Sequence, residues 1–284
     1  MMNTEKIQYL EQVATRCRIN VARMLRASGH GHIGGAFSSM EIVTALYFHK
    51  MRIKPDEPNW EARDRFLLSA GHKSMVQYAV LAERGYFPKD VLDTYGQIHS
   101  IIPGHPCMHK LPGIEANTGA LGHGLAIALG MAMGLKLDGS DSKVYTILGD
   151  GELAEGSNWE AAAAAAHHKA DNLVAFVDNN GLQISGKVSE VMDYSPIAER
   201  FRIFGWAVRE IDGNNMKEVV EALDAVPFET GKPSMIIAHT VKAKGLKQGE
   251  NQVSYHYWNP TVADCDALER DLLEVLDLED EKYE

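Results

Sequence analysis

The stretch GDGELAEGSNWEAAAAAAHHKADNLVAFVDNN, residues 149–180, decides the fold. The apolar run Val144–Leu148 precedes it, and a second, Leu173–Val177, leads into Asn179 and Asn180. Between them Ala161–Ala166 mark a tightly packed helix, and Ser157, Asn158, Trp159 and Glu160 fit a capping box at its start. Strand, turn, helix, strand is a βαβ unit, which predicts two parallel strands joined by a right-handed crossover. Asp150 and Asn180 then fall just past the carboxyl ends of those strands, where open α/β sheets bind ligands. Neighbouring strands lie about 4.8 Å apart, so one carboxylate and one amide oxygen converge on a single cation. A hard oxygen pair of this kind suits Mg²⁺ or Ca²⁺, and Mg²⁺ fills its octahedron with phosphate oxygens and water. Gly149 and Gly151 remove side chains where a diphosphate approaches backbone N–H groups. Asp-Gly and Asn-Asn-Gly also make ordinary turns. Their placement at the two ends of one βαβ unit argues for the binding site.

Working outward, Ile7, Leu10, Ala14, Cys17, Val21 and Met24 recur at helical spacing, so residues 4–27 are expected as an amphipathic helix. A glycine-rich loop at 29–35 follows, then a helix capped at Ser38-Ser39-Met40-Glu41 and running to about His49. Residues 65–68 form a short strand and 73–84 a helix. Pro103, Pro106 and Pro112 keep 95–118 irregular. A Gly/Ala-rich stretch, 121–137, reads as a buried helix, too short to span a bilayer. Further strands are expected at 206–211 and 234–238, with a helix at 216–225 between them. Strands alternating with helices imply an α/β fold, a parallel sheet covered by helices on both faces. With no linker or repeat to divide it, residues 1–284 read as one domain, ending in an acidic helical tail from about 262 that is solvated from about Leu268. Gly29-His30-Gly31-His32-Ile33-Gly34 matches the dinucleotide pattern GxGxxG, but a helix precedes it where that motif needs a strand.

Composition narrows the function classes. The formal net charge of −11 argues against nucleic acid or an anionic membrane as the main partner. Cys17, Cys107 and Cys265 are scattered and form no CxxC, which fits a reducing, cytoplasmic setting. The N-terminus carries no apolar signal core. His32, His72, His105 and His123 each follow a glycine, and His256 comes later. Glycine frees the backbone to project a ring into a cleft, and histidine can donate or accept protons near neutrality. A zinc site would need ligands at recognisable spacing, and neither HExxH nor a Cys/His set is present.

GDG followed by NN about 30 residues later resembles the thiamine diphosphate (ThDP) fingerprint, and the surrounding chain resembles the N-terminal, diphosphate-binding domain of transketolases. Four more segments carry the likeness in order: Gly31-His32-Ile33-Gly34-Gly35, the run Leu67–Tyr86 with His72, Pro103-Gly104-His105-Pro106 leading into Thr118-Gly119-Ala120-Leu121-Gly122, and Thr240–Gly245 followed by His256. The resemblance implies a ThDP-binding fold and Mg²⁺ (with Ca²⁺ or Mn²⁺ as substitute) as second cofactor. His32, His105 and His256 then match histidines that bind sugar oxygens and move protons. His72 matches one beside the diphosphate, and Gly119 and Leu121 match contacts to the aminopyrimidine. Glu155 matches an acid that meets the activating glutamate of the partner domain. Asp150, Asn180 and the backbone carbonyl of Leu182 match the protein ligands to the metal, with Gly151 beside them. A shift of two residues in register would put His30 in place of His32.

Complete transketolases continue into a pyrimidine-binding and a C-terminal domain, and no segment of this sequence carries the activating glutamate. The length therefore implies the N-terminal subunit of a split transketolase. Its expected partner is a C-terminal subunit supplying the pyrimidine-binding domain and that glutamate, in an α2β2 heterotetramer. The expected reaction passes a two-carbon ketol unit from a ketose or ketose phosphate to an aldose. Related readings are a deoxyxylulose-phosphate synthase-like or specialised sugar enzyme, a catalytically idle paralogue, and a Mg²⁺-dependent phosphohydrolase using Asp150. Two departures from the family pattern bear on substrate: Tyr257 and Trp258 follow His256 where glycine is common, narrowing or reshaping the channel, and Ala243 replaces a frequent glycine.

Overall fold

The computed structural model describes residues 4–276. Helix α1 (Thr4–Ser28) buries Leu10, Val13, Cys17, Val21 and Met24 along one stripe. Two short helices follow, α2 (Ile33–Ser38) and α3 (Met40–Ala45), the second continuing into a π-helical turn at Leu46–Lys50. Strand β1 (Arg65–Leu68) leads to α4 (Ser74–Arg84), which stops at the left-handed Gly85. After an irregular stretch come α5 (Gly124–Leu137), β2 (Val144–Gly149), α6 (Gly156–His167) and β3 (Leu173–Asn179). A hairpin of β4 (Leu182–Gln183) and β5 (Gly186–Lys187) precedes α7 (Val188–Val191) and α8 (Ile197–Ile203). The order closes with β6 (Ala207–Asp212), α9 (Met216–Asp224), β7 (Ser234–His239) and α10 (Val262–Val275).

The main sheet has the order β1-β2-β3-β7-β6, every pairing parallel. Strands β2, β3 and β7 are buried nearly throughout because both faces are covered, whereas the edge strand β6 exposes Arg209, Glu210 and Asp212. Alternate residues divide between two cores: Tyr145, Ile147, Val174 and Phe176 pack with α1, α3 and α4, while Val144, Leu148, Leu173 and Val177 pack with α5 and α6. That division follows from the two-residue period of a strand. Burying this apolar surface at about 25 cal/mol per Å² drives assembly, and it leaves the polar chemistry to the carboxyl ends of the strands.

Four expectations need correction. Residues 29–35 are not all loop, because α2 begins at Ile33. Gly34 and Gly35 serve close packing there: a Cβ would come within 2.6 Å of the Tyr255 carbonyl oxygen at the first and 2.8 Å of the Lys73 side chain at the second. The Ser157–Glu160 capping box does not form. Glu155 takes the N-cap position, and the Ser157 hydroxyl instead donates to the Gly122 carbonyl at 2.8 Å. The helix expected at 121–137 starts at Gly124 and is buried on one face only, with Leu137 87 % exposed. The C-terminal helix is not solvated along its length: Cys265, Leu268 and Leu272 are buried, and α10 packs on α1. Residues 277–284 of the tail lie outside the described residues. Among the described residues no helix is long and apolar enough to cross a membrane.

Candidate functional site

Register builds the site. Gly149 on β2 stands opposite Asp178 on β3, so Asp150 and Asn180 leave adjacent strands at the same edge of the sheet. Asp150 is 3 % exposed, and its carboxylate accepts from the Gly151 N–H at 2.8 Å and the Gly181 N–H at 2.5 Å. Asn180 donates its Nδ2 to the Asp178 carboxylate at 3.2 Å, while its Oδ1 accepts from the Leu182 N–H at 3.2 Å. A carboxylate only accepts hydrogen bonds, so Asp178 dictates which way the Asn180 amide faces. The Leu182 carbonyl accepts from Lys242 Nζ at 3.1 Å.

A cavity of about 310 Å³ opens here. His32, His72, Gly119, Leu121, Asp150, Gly151, Asn180, Leu182 and His256 all line it. The His72 ring centroid lies 5.2 Å from that of His32 and 5.3 Å from that of His256. His105 sits at the rim, 6.5 Å from the His32 ring and against Gly119, where a Cβ would come within 2.7 Å of its Cδ2. Glu155 is exposed and outside the cavity lining, its aliphatic part lying over Gly122. Of the two neighbouring histidines, His32 lines the cavity and His30 does not.

The most consequential residues missed by sequence reasoning are buried charges. Lys73 is 2 % exposed and its Nζ lies 2.6 Å from the fully buried Asp178 carboxylate. Asp178 also accepts from the Ser38 hydroxyl at 2.6 Å and from the Thr240 hydroxyl. Burial alone would push the Asp178 carboxyl up, but Lys73 and the two hydroxyls outweigh it and hold it below the usual range. Glu152, 2 % exposed, accepts from the Gly122 and Gly149 N–H groups at 2.9 and 3.0 Å and from Ser69, tying the 119–124 loop to the end of β2. The signal for Asp178 was a carboxylate closing an otherwise apolar strand, LVAFVD. Lys73 gave no such signal, since a lysine opening a helix is usually solvated.

Electrostatics sort the remaining groups. Burial, followed by the charge of Lys73, lowers His72 to about 2. Burial also lowers His32 to about 4 and His256 to about 3, with His105 and Lys242 respectively as the next cause. These three rings are neutral at physiological pH, so each has one donor and one acceptor nitrogen. Lys242 falls to about 8 through burial and the nearby Lys73. Burial and then the Asp178 charge raise Asp150 to about 6.

Carboxylate, amide oxygen and backbone carbonyl form a hard donor set with room for phosphate oxygens and water. Lys73 and Lys242 line the same cavity and offer cations to an anionic group. His256 Nδ1 is buried with no hydrogen-bond partner, which is the condition of a group awaiting a ligand. The residues present therefore fit a divalent cation with a diphosphate. No three of His, Cys, Asp and Glu among the described residues converge as a metal-binding group; the oxygen set here has a single acid.

Two predictions arise from this geometry. Asp150 must be ionised to hold a cation, and its carboxyl is raised to about 6, so Mg²⁺-dependent binding should weaken as pH falls through 6. The limiting slope is about tenfold per pH unit, one proton being displaced per cation. In the metal-free protein the sign for stability is the reverse: the native state holds a proton that the unfolded state has lost, so this contribution shrinks as pH rises from about 4 to 6. Calorimetric titration with Mg²⁺ and inorganic pyrophosphate between pH 5 and 8 checks the first statement. Gly71→Ala is expected to disrupt the cavity wall, because its Cβ would lie 2.6 Å from both the Thr118 carbonyl carbon and the Gly119 nitrogen. Backbone cannot yield as a side-chain tip can, so a loss of about 1–3 kcal/mol is expected in urea melts.

A parallel sheet with an acid and an amide at the ends of adjacent strands, beside clustered histidines and buried lysines, offers a place for a cation with a diphosphate. Comparison with known proteins makes this specific. The family described as "Transketolase, thiamine diphosphate binding domain" matches residues 10–258, and the chain belongs to it. It is 40 % identical over 269 residues to one subunit of the apulose-4-phosphate transketolase of Phocaeicola vulgatus, covering 95 % of each chain. It is also 40 % identical over 268 residues to the 6-deoxy-6-sulfo-D-fructose transketolase subunit SqwG of a Clostridium species, covering 90 % of this chain and 98 % of that protein. The crystal structure of transketolase from Campylobacter jejuni superposes with a TM-score of 0.88 at 32 % identity, over 97 % of this chain and 43 % of that one.

Proposed function

We propose that this chain is the ThDP- and Mg²⁺-binding subunit of a split transketolase. In this reading a second subunit supplies the pyrimidine-binding domain and the activating glutamate, in an α2β2 heterotetramer. The assembly transfers a two-carbon ketol unit from a ketose or ketose phosphate to an aldose. The observation that carries the reading is the convergence of Asp150, Asn180 and the Leu182 carbonyl on a cavity that also presents Lys73 and Lys242. Two relatives spanned nearly end to end are themselves named as subunits, which supports the partner.

Asp150, Asn180 and Leu182 would hold the cation, and Lys242 with Lys73 would balance the diphosphate charge. When bound, ThDP supplies the carbanion and electron sink for breaking and forming the C–C bond. His32 and His256, neutral through burial, hydrogen-bond sugar oxygens, each ring offering one donor and one acceptor nitrogen. His105, 6.5 Å from the His32 ring, would join them at the sugar oxygens. Glu155, exposed at the start of α6, would meet the partner subunit.

Native mass spectrometry of the protein isolated from its own cells with ThDP and Mg²⁺ tests the proposal. A heteromer retaining ThDP is the expected result. A lone homo-oligomer that binds no ThDP would overturn it.

A further inference from the structure

Beside the cavity, on the outer side of His32, lies a contact that the proposed reaction does not use. The segments bearing His32 and His256 are cross-linked by an antiparallel bridge, with the Gly31 N–H donating to the Trp258 carbonyl and the Trp258 N–H to the Gly31 carbonyl, both at 2.9 Å. One step outward, Tyr257 Oη and His30 Nδ1 lie 2.7 Å apart, with their rings stacked at 5.7 Å. The Tyr257 ring stands edge-on to His32 with centroids 4.7 Å apart. The His30 backbone is itself fixed, since the Ser28 hydroxyl bonds both its carbonyl and its N–H. Tyr257 is nonetheless 39 % exposed, so a braced aromatic surface faces the approach to His32.

We propose that His30 and Tyr257 form a specificity-determining wall that reads the polyhydroxylated carbon chain of the substrate beyond the two carbons transferred. The inference rests on the function proposed above and deepens it. Its chemistry follows from counting hydrogen-bonding groups. If Tyr257 donates to His30 Nδ1, the Nε2–H remains as donor and the phenol oxygen as acceptor. If His30 donates instead, the phenol O–H remains as donor and Nε2 as acceptor. Either tautomer leaves one donor and one acceptor side by side. A hydroxyl satisfies both, whereas a phosphate or sulfonate only accepts. The aromatic face beside them packs against the C–H groups of a sugar chain, as aromatic surfaces do with apolar ligand faces.

The test uses the chain assembled with its complementary subunit. Specificity constants are compared for a six-carbon ketose phosphate and for hydroxypyruvate, which has no hydroxylated chain beyond the transferred unit. Tyr257→Ala should lower the ketose-to-hydroxypyruvate ratio of kcat/KM about tenfold, through KM of the ketose. Tyr257→Phe keeps the ring, loses the hydroxyl and should lower the ratio about threefold, the scale of one net hydrogen bond. ThDP affinity, measured by titration of the same proteins, should not move. A ratio unchanged in both variants, with ThDP bound normally, overturns this inference alone. Failure of the wild-type assembly to bind ThDP overturns the proposed function and this inference with it.

Discussion

Asp150→Ala is expected to abolish Mg²⁺-dependent binding of ThDP, with an affinity loss of at least about 100-fold, since even residues that only orient metal ligands cost 10–100-fold when removed. Asp150 is the sole acid of the oxygen set, and both its oxygens are already aimed by the Gly151 and Gly181 N–H groups. Neither Asn180 nor a backbone carbonyl brings negative charge to replace it. Calorimetry with Mg²⁺ and inorganic pyrophosphate measures the loss on the isolated chain, and circular dichroism checks that the fold persists. Unaltered affinity in a folded Asp150→Ala variant would sink the assignment of the metal site.

Lys73→Met should be the most destabilising single change near the site, by about 3–5 kcal/mol, the cost of leaving one member of a buried ion pair without its partner. Asp178 would stay in the interior with only hydroxyl and amide donors. Urea denaturation reads the loss. Lys73→Met combined with Asp178→Leu should regain part of the stability, because a buried pair replaced by apolar groups costs far less than a broken one. The double variant should still bind Mg²⁺ poorly, since the Asn180 amide then keeps only the Leu182 N–H to orient it. Recovery of full metal affinity in that protein would show that Asp178 has no part in positioning Asn180.

The sheet and most of the site were legible because they rest on local signals. Apolar runs of strand length flank an alanine-rich helix, and the chemistry-bearing residues sit at the strand ends where an α/β fold must place them. Packing roles were not legible. Gly34 and Gly35 read as loop residues, yet they let α2 approach Tyr255 and Lys73. Ser157 had the right spacing to cap α6 but finds Gly122 from another part of the chain. The acidic face of α10 concealed the Cys265, Leu268 and Leu272 stripe that holds it to α1. Lys73 and Asp178 are 105 residues apart in sequence, and no window of sequence joins them. Charge pairs of that separation are a product of the fold, and only coordinates reveal them.

The pairing of Gly149 with Asp178 carries a lesson about connectivity. The distance between the acid and the amide is held by the hydrogen-bond ladder between two strands, while the intervening helix only returns the chain to the sheet. The 30-residue spacing that makes the motif recognisable is thus a by-product of helix length. The exposed turn at His167–Lys169 is a point at which residues can be inserted, or the chain reopened by circular permutation, without altering the geometry at the far end of the strands. Homologues with longer or shorter crossovers would escape a fixed-spacing search while keeping an identical ligand cradle.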